Sequence, residues 1–169
     1  TMSDENTDII SHSSYLRVTK MFRRLYKENN FNFKVKSSEM NIYEIISKYN
    51  NDEIDKLKLL ARLTDDILKK SFESIKVNQS EKEIYENTVK IANEYLENVK
   101  SKYNIVNYGI AWDVCPIVLV GENLEKGGHA MPSDKKINKG DTIYFDFGIS
   151  ATFEDDTILY TDMQRMGYF

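Results

Sequence analysis

The distribution of glycine and proline along the chain constrains its fold more than any other sequence feature. All 7 glycines and both prolines lie after residue 108 of the 169 residues. Because these two residue types mark turns and interrupt helices, the first 108 residues predict long helices. The remainder predicts short strands joined by tight loops. We therefore expect an α+β fold in which two antiparallel helices precede an antiparallel β-hairpin sheet.

Two capping boxes predict where the helices begin. Asn50 precedes Glu53 by three residues and Ser80 precedes Glu83 by three, the spacing at which a side chain and a backbone N–H satisfy each other. Apolar residues follow each box at helical spacing. The expected stripes are Ile54, Leu57, Ala61, Thr64, Leu68 and Phe72, widened by Leu60 and Ile67, and then Ile84, Thr88, Ile91, Tyr95 and Val99.

Composition excludes several classes of function. Lys and Arg number 23 against 27 Asp and Glu, so the net charge of −4 argues against a nucleic-acid partner. Apolar runs are too short to span a bilayer, and the polar N-terminus shows no signal peptide, so no membrane partner is expected. Cys115 is the single cysteine and cannot form an internal disulfide. These features favour a cytoplasmic location.

Two aspartates in the strand-like second part of the chain are candidate metal ligands. Strands are expected at 115–120, 142–147 and 158–163, and Asp146 interrupts an otherwise apolar strand although aspartate disfavours strands. If the hairpin tip is centred near Glu154, residues whose numbers sum to 308 are opposed, which pairs Asp146 with Asp162. Opposed Cβ atoms lie roughly 4.5–5.5 Å apart. Two carboxylates at that distance require a shared proton or a cation. The alternatives are that both aspartates are surface residues on an exposed hairpin, or that the register of the hairpin differs.

Four motifs, in order and spacing, resemble the pita-bread metallopeptidases, and most of all their Xaa-Pro aminopeptidase and dipeptidase branch. They are GGHAMPSD at 127–134, KGD at 139–141, FDFG at 145–148 and TDMQR at 161–165. The resemblance extends over about residues 50–169. It implies that 50–169 is the first half of a truncated pita-bread catalytic domain. Residues 1–49 are then the tail of an N-terminal domain or a linker.

The resemblance also implies a function. It implies a metal-dependent exopeptidase that removes the N-terminal residue from short peptides with proline in second position. Two divalent ions (Mn²⁺, Co²⁺ or Zn²⁺) would hold the attacking hydroxide between them. The later metal ligands of that family have no counterpart here, so the chain alone is expected to be inactive and to expose an apolar half-domain face that favours a homodimer or aggregation. The alternative is a non-catalytic relative that binds peptides or proteins.

The resemblance assigns roles to individual residues. Asp146 and Asp162 match two of the family's metal ligands. His129 matches a loop histidine that contacts substrate and helps to stabilise the reacting carbonyl, and Trp112 lies where family sites line a pocket. Arg165 either pairs with a metal-site carboxylate or is exposed on its strand.

Overall fold

The computed structural model describes residues 12–29, 48–112, 115–127 and 130–169. The chain divides into two compact units, Thr1–Lys48 and Tyr49–Phe169. In the first unit, helix α1 spans His12–Asn29 and exposes Leu16 and Phe22. The spacing of Leu16, Phe22, Leu25 and Tyr26 in the sequence predicts this helix. A second short helix predicted from Ile42, Ile45 and Ile46 lies outside the described residues. None of the described helices is long and apolar enough to cross a lipid bilayer.

The second unit begins with two helices, α2 (Asn51–Ser74) and α3 (Glu81–Val99). Both predicted capping boxes are confirmed. Asn50 accepts from the backbone N–H of Glu53 at 2.9 Å, and the Glu53 carboxylate accepts from the N–H of Asn50 at 2.7 Å. Ser80 and Glu83 make the same reciprocal pair at 3.2 and 2.7 Å. Each box satisfies two N–H groups that the first helical turn leaves unpaired.

The two helices run antiparallel, as the hydrogen bonds between them show. The Asn87 amide donates to the Ser74 hydroxyl at 2.7 Å, and the Tyr95 hydroxyl donates to Asp66 at 2.6 Å, so later residues of α3 meet earlier residues of α2. The buried face is slightly rotated from the predicted stripe. It comprises Leu60, Leu63, Thr64, Ile67, Leu68 and Ser71 on α2, and Glu81, Ile84, Thr88, Ala92 and Leu96 on α3.

Two three-stranded antiparallel sheets follow the helices. The strands are β1 (Ile105–Ile110), β2 (Ile117–Val120), β3 (Thr142–Phe147), β4 (Ile149–Phe153), β5 (Ile158–Tyr160) and β6 (Met163–Tyr168). The first sheet has the order β1-β4-β5 and the second has the order β2-β3-β6. Short 3-10 helices occupy Lys100–Tyr103 and Gly121–Lys126. The α+β class is therefore confirmed.

The strands differ from the sequence prediction at two places. Strand β1 was missed because strands were expected only after residue 108, whereas the α-helix ends at Val99 and the 3-10 turn that follows it ends at Asn104 in a left-handed conformation with φ 55°. The strand expected at 158–163 is two strands, β5 and β6, which belong to different sheets. The hairpin thus passes from one sheet to the other at Gly148 on one arm and at 161–162 on the other.

The core lies between the helices and both sheets. Leu60 and Ile67 of α2 pack with Phe145 and Phe147 of β3 and with Ile149 of β4, all of them completely buried. On β3 the residues Ile143, Phe145 and Phe147 are buried, whereas Tyr144 and Asp146 between them are only half-buried. Alternation along the strand therefore directs Asp146 to the sheet face opposite the helices.

Candidate functional site

Asp146 lies on the central strand of the second sheet. It is opposite Ile117 of β2 on one side and opposite Gln164 of β6 on the other. Neighbouring strands hold its backbone on both sides, so its carboxylate projects from a fixed point on the sheet. This explains how an aspartate is accommodated in an apolar strand, because its side chain avoids the helix-packed face.

The predicted register of the hairpin is wrong by two residues. Phe153 donates its N–H to Thr157 at the tip, and the pairs Thr152–Ile158 and Asp146–Gln164 follow from it, so opposed numbers sum to 310 and not to 308. The tip is centred on Asp155 and not on Glu154. Asp162 therefore is not directly opposite Asp146. Because a shift of two residues preserves the face of every side chain, Asp162 remains on the side of Asp146.

The two carboxylates converge in spite of the shifted register. They lie within hydrogen-bonding reach, and Asp162 is the more exposed of the two. Burial raises the pKa of the Asp146 carboxyl above its ordinary value, and the hydrogen bond and charge of Asp162 raise it further. Hydrogen bonds from Gln164 and from the Tyr144 hydroxyl, which is 3.4 Å away, act in the opposite direction. The net rise means that the Asp146 carboxyl releases its proton less readily than an ordinary aspartate.

A close crossing of two chain segments positions Asp162. A Cβ atom added to Gly148 would lie 2.0 Å from the carbonyl oxygen of Thr161. Thr161 also donates its N–H to the Ile149 carbonyl at 2.9 Å, and its hydroxyl accepts from the Ile149 N–H at 3.0 Å. The residue immediately before Asp162 is therefore held against the β3–β4 junction, two residues after Asp146.

Cys115 lies beside the carboxylates and is buried. Burial raises the pKa of its thiol to about 11, and the charges of Asp146 and Asp162 contribute in the same direction. At neutral pH the thiol is thus protonated and a poor nucleophile.

Trp112 is exposed close to the same junction. Its neighbour Ala111 donates its N–H to the Gly148 carbonyl at 2.9 Å, and its own backbone has a left-handed φ of 66°. The indole stacks on the ring of Tyr160, with centroids 5.9 Å apart and an interplanar angle of 27°. Tyr160 precedes Asp162 by two residues and was not singled out from the sequence. The substrate-binding role expected for Trp112 stays a prediction.

His129 lies outside the described residues, so its catalytic and substrate-binding roles stay predictions. The structure does describe how the flanking segment is held. The Glu81 carboxylate, fully buried at the start of α3, accepts from the Val120 N–H, the Asn123 amide, and both the N–H and the hydroxyl of Ser133, at 2.6–3.0 Å. Sequence reasoning missed this role of Glu81, because an acidic residue in a first helical turn is ordinarily explained by the helix dipole.

Arg165 does not pair with the site carboxylates. It is opposite Phe145, a residue of the helix-packed face, and its guanidinium lies 3.0 Å from Asp65 of α2. Of the two alternatives for Arg165, the structure shows the second, because its side chain is exposed on its strand and pairs with Asp65 instead of with a site carboxylate. The reason is strand alternation, because Arg165 and Gln164 project to opposite faces of β6.

Within the described residues, no group of three or more His, Cys, Asp and Glu side chains is arranged to hold a metal ion. The donors that converge are Asp146 and Asp162. Carboxylate oxygens suit hard divalent cations. The pKa of Asp146 is raised first by burial and then by the hydrogen bond and charge of Asp162, and a bound cation would offset the last of these. The two aspartates therefore fit as part of a metal site.

Two helices covering one side of antiparallel sheets, with paired aspartates on the other side, define the first part of a pita-bread fold. Comparison with solved structures confirms this fold. The X-Pro aminopeptidase from Thermotoga maritima matches with a TM-score of 0.59 and 21% identity, covering 94% of this chain and 38% of that one. The prolidase from Pyrococcus furiosus matches with a TM-score of 0.60 and 18% identity, covering 94% and 42%.

Dipeptidase PepE from Mycobacterium ulcerans matches with a TM-score of 0.65 and 15% identity, covering 96% of this chain and 36% of that one. The chain thus spans about two fifths of the length of the structures it matches. No family model and no curated protein sequence matches it. At these identities the comparison establishes the shared fold, which agrees with the resemblance seen in the four sequence motifs.

Proposed function

We propose that this chain forms the first part of a metal-dependent exopeptidase that removes the N-terminal residue from peptides with proline in second position. One observation carries the proposal, the convergence of Asp146 and Asp162 on one face of the sheet. The order of the sequence motifs and the fold shared with an X-Pro aminopeptidase and with prolidases support the choice of reaction. We also propose a cytoplasmic location, because a single cysteine that forms no disulfide suits a reducing compartment.

In this proposal Asp146 and Asp162 hold divalent metal, Mn²⁺, Co²⁺ or Zn²⁺, together with ligands from outside the described residues. When bound, such ions lower the pKa of a water molecule and polarise a peptide carbonyl. Tyr144 and Gln164 orient the Asp146 carboxylate through their hydrogen bonds. Trp112 and Tyr160 offer an apolar surface for the substrate. His129 contacts the reacting carbonyl.

Calorimetric titration with Mn²⁺ tests the metal site in the chain itself. We expect weak binding that falls about tenfold or more in Asp146→Asn and in Asp162→Asn, because each substitution removes one of two anionic ligands. Asp156→Asn is the matched control, since Asp156 is an exposed aspartate at the tip of the same hairpin. Binding that is equal in all four proteins would refute the assignment of the ligands.

Hydrolysis is tested on the longest natural protein that contains this chain. We expect release of the first residue from Xaa-Pro peptides, and loss of that release in excess EDTA. Peptide binding without cleavage, in a protein that does bind Mn²⁺, would favour the non-catalytic relative. Cleavage that persists in EDTA would exclude the metal mechanism.

A further inference from the structure

Two buried threonines connect helix α2 to the segment that carries Asp162. Thr64 is completely buried on α2, and Thr161 is 8% exposed between β5 and β6. Their hydroxyl oxygens are 2.7 Å apart, although 97 residues separate them in sequence. A buried hydroxyl needs a hydrogen-bond partner, so this contact is a specific tie between the two elements.

Each hydroxyl has one proton, which limits how the bonds can be arranged. Thr161 accepts from the Ile149 N–H at 3.0 Å, and Thr64 lies 2.8 Å from the Leu60 carbonyl oxygen. The shortest consistent arrangement is a chain in which Ile149 donates to Thr161, Thr161 donates to Thr64, and Thr64 donates to Leu60. The competing contact from Thr161 to the Ile149 carbonyl is longer, at 3.3 Å, and that carbonyl already accepts from the Thr161 N–H. Every hydroxyl in this series of hydrogen bonds has both a donor and an acceptor partner, so the Thr161 side chain is fixed in one rotamer.

The position of Thr161 determines the position of Asp162. Its hydroxyl is bonded to α2 and to β4, its N–H is bonded to the Ile149 carbonyl, and its own carbonyl lies against Gly148. We infer that Thr64 is a positioning residue that acts through Thr161 to hold the Asp162 carboxylate beside that of Asp146. This inference rests on the proposed metal site and adds to it a residue on a helix that provides no ligand.

Comparison with the other buried hydroxyl residues of the helices supports this role. Thr88 of α3 donates to the Ile84 carbonyl at 2.8 Å, and Ser71 of α2 donates to the Ile67 carbonyl at 2.9 Å. These two hydrogen bonds stay within one helix, where such bonds do little for stability. Only the Thr64 hydroxyl among these three has a bond that leads to the carboxylate pair. Thr88→Val is therefore a matched control for Thr64→Val, because both changes replace a buried helical hydroxyl by a methyl group of similar size.

The test compares Mn²⁺ affinity in the wild-type chain, Thr64→Val, Thr64→Ser and Thr88→Val by calorimetry. We expect Thr64→Val to weaken binding about tenfold, the usual effect of losing a group that orients a metal ligand. Thr64→Ser keeps the hydroxyl and is expected to restore binding to within about twofold of wild type, while Thr88→Val stays near wild type. Thr161→Val, which removes the other hydroxyl of the tie, is expected to reproduce the loss. Amide hydrogen exchange without metal provides a second readout, and we expect faster exchange at Ile149 in Thr64→Val and in Thr161→Val but not in Thr64→Ser or Thr88→Val.

Each outcome decides a question. If the wild-type chain binds Mn²⁺ and Thr64→Val binds it with the same affinity, the positioning role is overturned and the metal site is retained. The same holds if Thr88→Val loses as much Mn²⁺ affinity as Thr64→Val does. A wild-type chain that binds no Mn²⁺ would overturn the proposed function and this inference with it. The predicted pattern, with loss in Thr64→Val and rescue in Thr64→Ser, separates the tie from the simple loss of a buried helical hydroxyl, because Thr88→Val removes such a hydroxyl without breaking a bond to Thr161.

Discussion

The crossing of Gly148 and Thr161 gives the sharpest prediction from this structure. A methyl group at residue 148 would place Cβ 2.0 Å from the Thr161 carbonyl oxygen, and real Cβ atoms essentially never approach a heavy atom closer than 3.0 Å. The obstacle is backbone, so no side-chain rotation can relieve it. In Gly148→Ala the Thr161 segment must therefore withdraw by about 1 Å, the difference between these two distances.

The size of the effect follows from the bonds that this withdrawal breaks. The Thr161 N–H bond of 2.9 Å and the hydroxyl contact of 2.7 Å with Thr64 would both lengthen beyond good hydrogen-bond geometry. Two buried hydrogen bonds contribute about 2 kcal/mol together, and overpacking adds about 1–3 kcal/mol. The lower entropy of alanine in the unfolded chain offsets roughly 0.4–1 kcal/mol. We expect Gly148→Ala to lower the free energy of unfolding by about 3 kcal/mol.

Urea and thermal unfolding followed by far-UV circular dichroism measure this change. A loss of about 3 kcal/mol corresponds to a decrease of roughly 6–12 °C in Tm for a chain of this size. Gly109→Ala is the control, since its added Cβ would meet only the Ser150 hydroxyl at 3.3 Å, an atom that can rotate away. A Gly148→Ala chain as stable as Gly109→Ala would refute the close crossing and the positioning of Asp162 that depends on it.

Three further predictions concern Glu81, Cys115 and Asp155. Glu81→Ala leaves four hydrogen-bond donors without their acceptor in a buried site, so we expect a loss of about 3 kcal/mol or more in urea unfolding. Cys115, with a pKa of about 11, should react with a thiol reagent at pH 8 only after unfolding, as measured by absorbance with and without urea. The hydrogen bond from Lys56 lowers the pKa of Asp155 to about 2. The ionised Asp155 carboxylate therefore contributes its full stabilisation above pH 3.9, roughly the pKa of aspartate in the unfolded chain, and loses it as the pH falls through 2. The difference in urea midpoint between wild type and Asp155→Asn should accordingly close as the pH falls through this range.

Each of these predictions has its own control. Glu81→Gln preserves the shape of the side chain but turns an amide N–H toward one of the four donors, so it should also lower the free energy of unfolding. An unchanged free energy of unfolding would contradict the hydrogen bonds of Glu81 with Ser133. Rapid labelling of native Cys115 at pH 8 would show that it is not buried. Asp156→Asn is the control for the pH series, since Asp156 occupies the same hairpin tip. A gap between wild type and Asp155→Asn that stays constant from pH 5 to pH 2 would contradict the ion pair with Lys56.

The sequence determined the local structure and the order of its elements. Capping boxes place the starts of α2 and α3 because cap and partner are three residues apart and act within one turn. The clustering of glycine and proline after residue 108 indicated where helices give way to strands, with an error of a few residues at β1. Strand alternation also determined the face on which Asp146 and Asp162 lie, since a register error of two residues leaves the face unchanged.

The tertiary structure alone decided the contacts between segments that are distant in sequence. No local pattern shows that Thr64 meets Thr161, that Gly148 crosses the Thr161 carbonyl, or that Arg165 pairs with Asp65 of α2. Such contacts depend on how helices and sheets pack, and side chains about 100 residues apart leave no periodic signal. The same packing divides the hairpin between two sheets and sets the distance between the two aspartates. Local rules therefore identified the carboxylates, whereas the way they are held together follows from the fold of the whole unit.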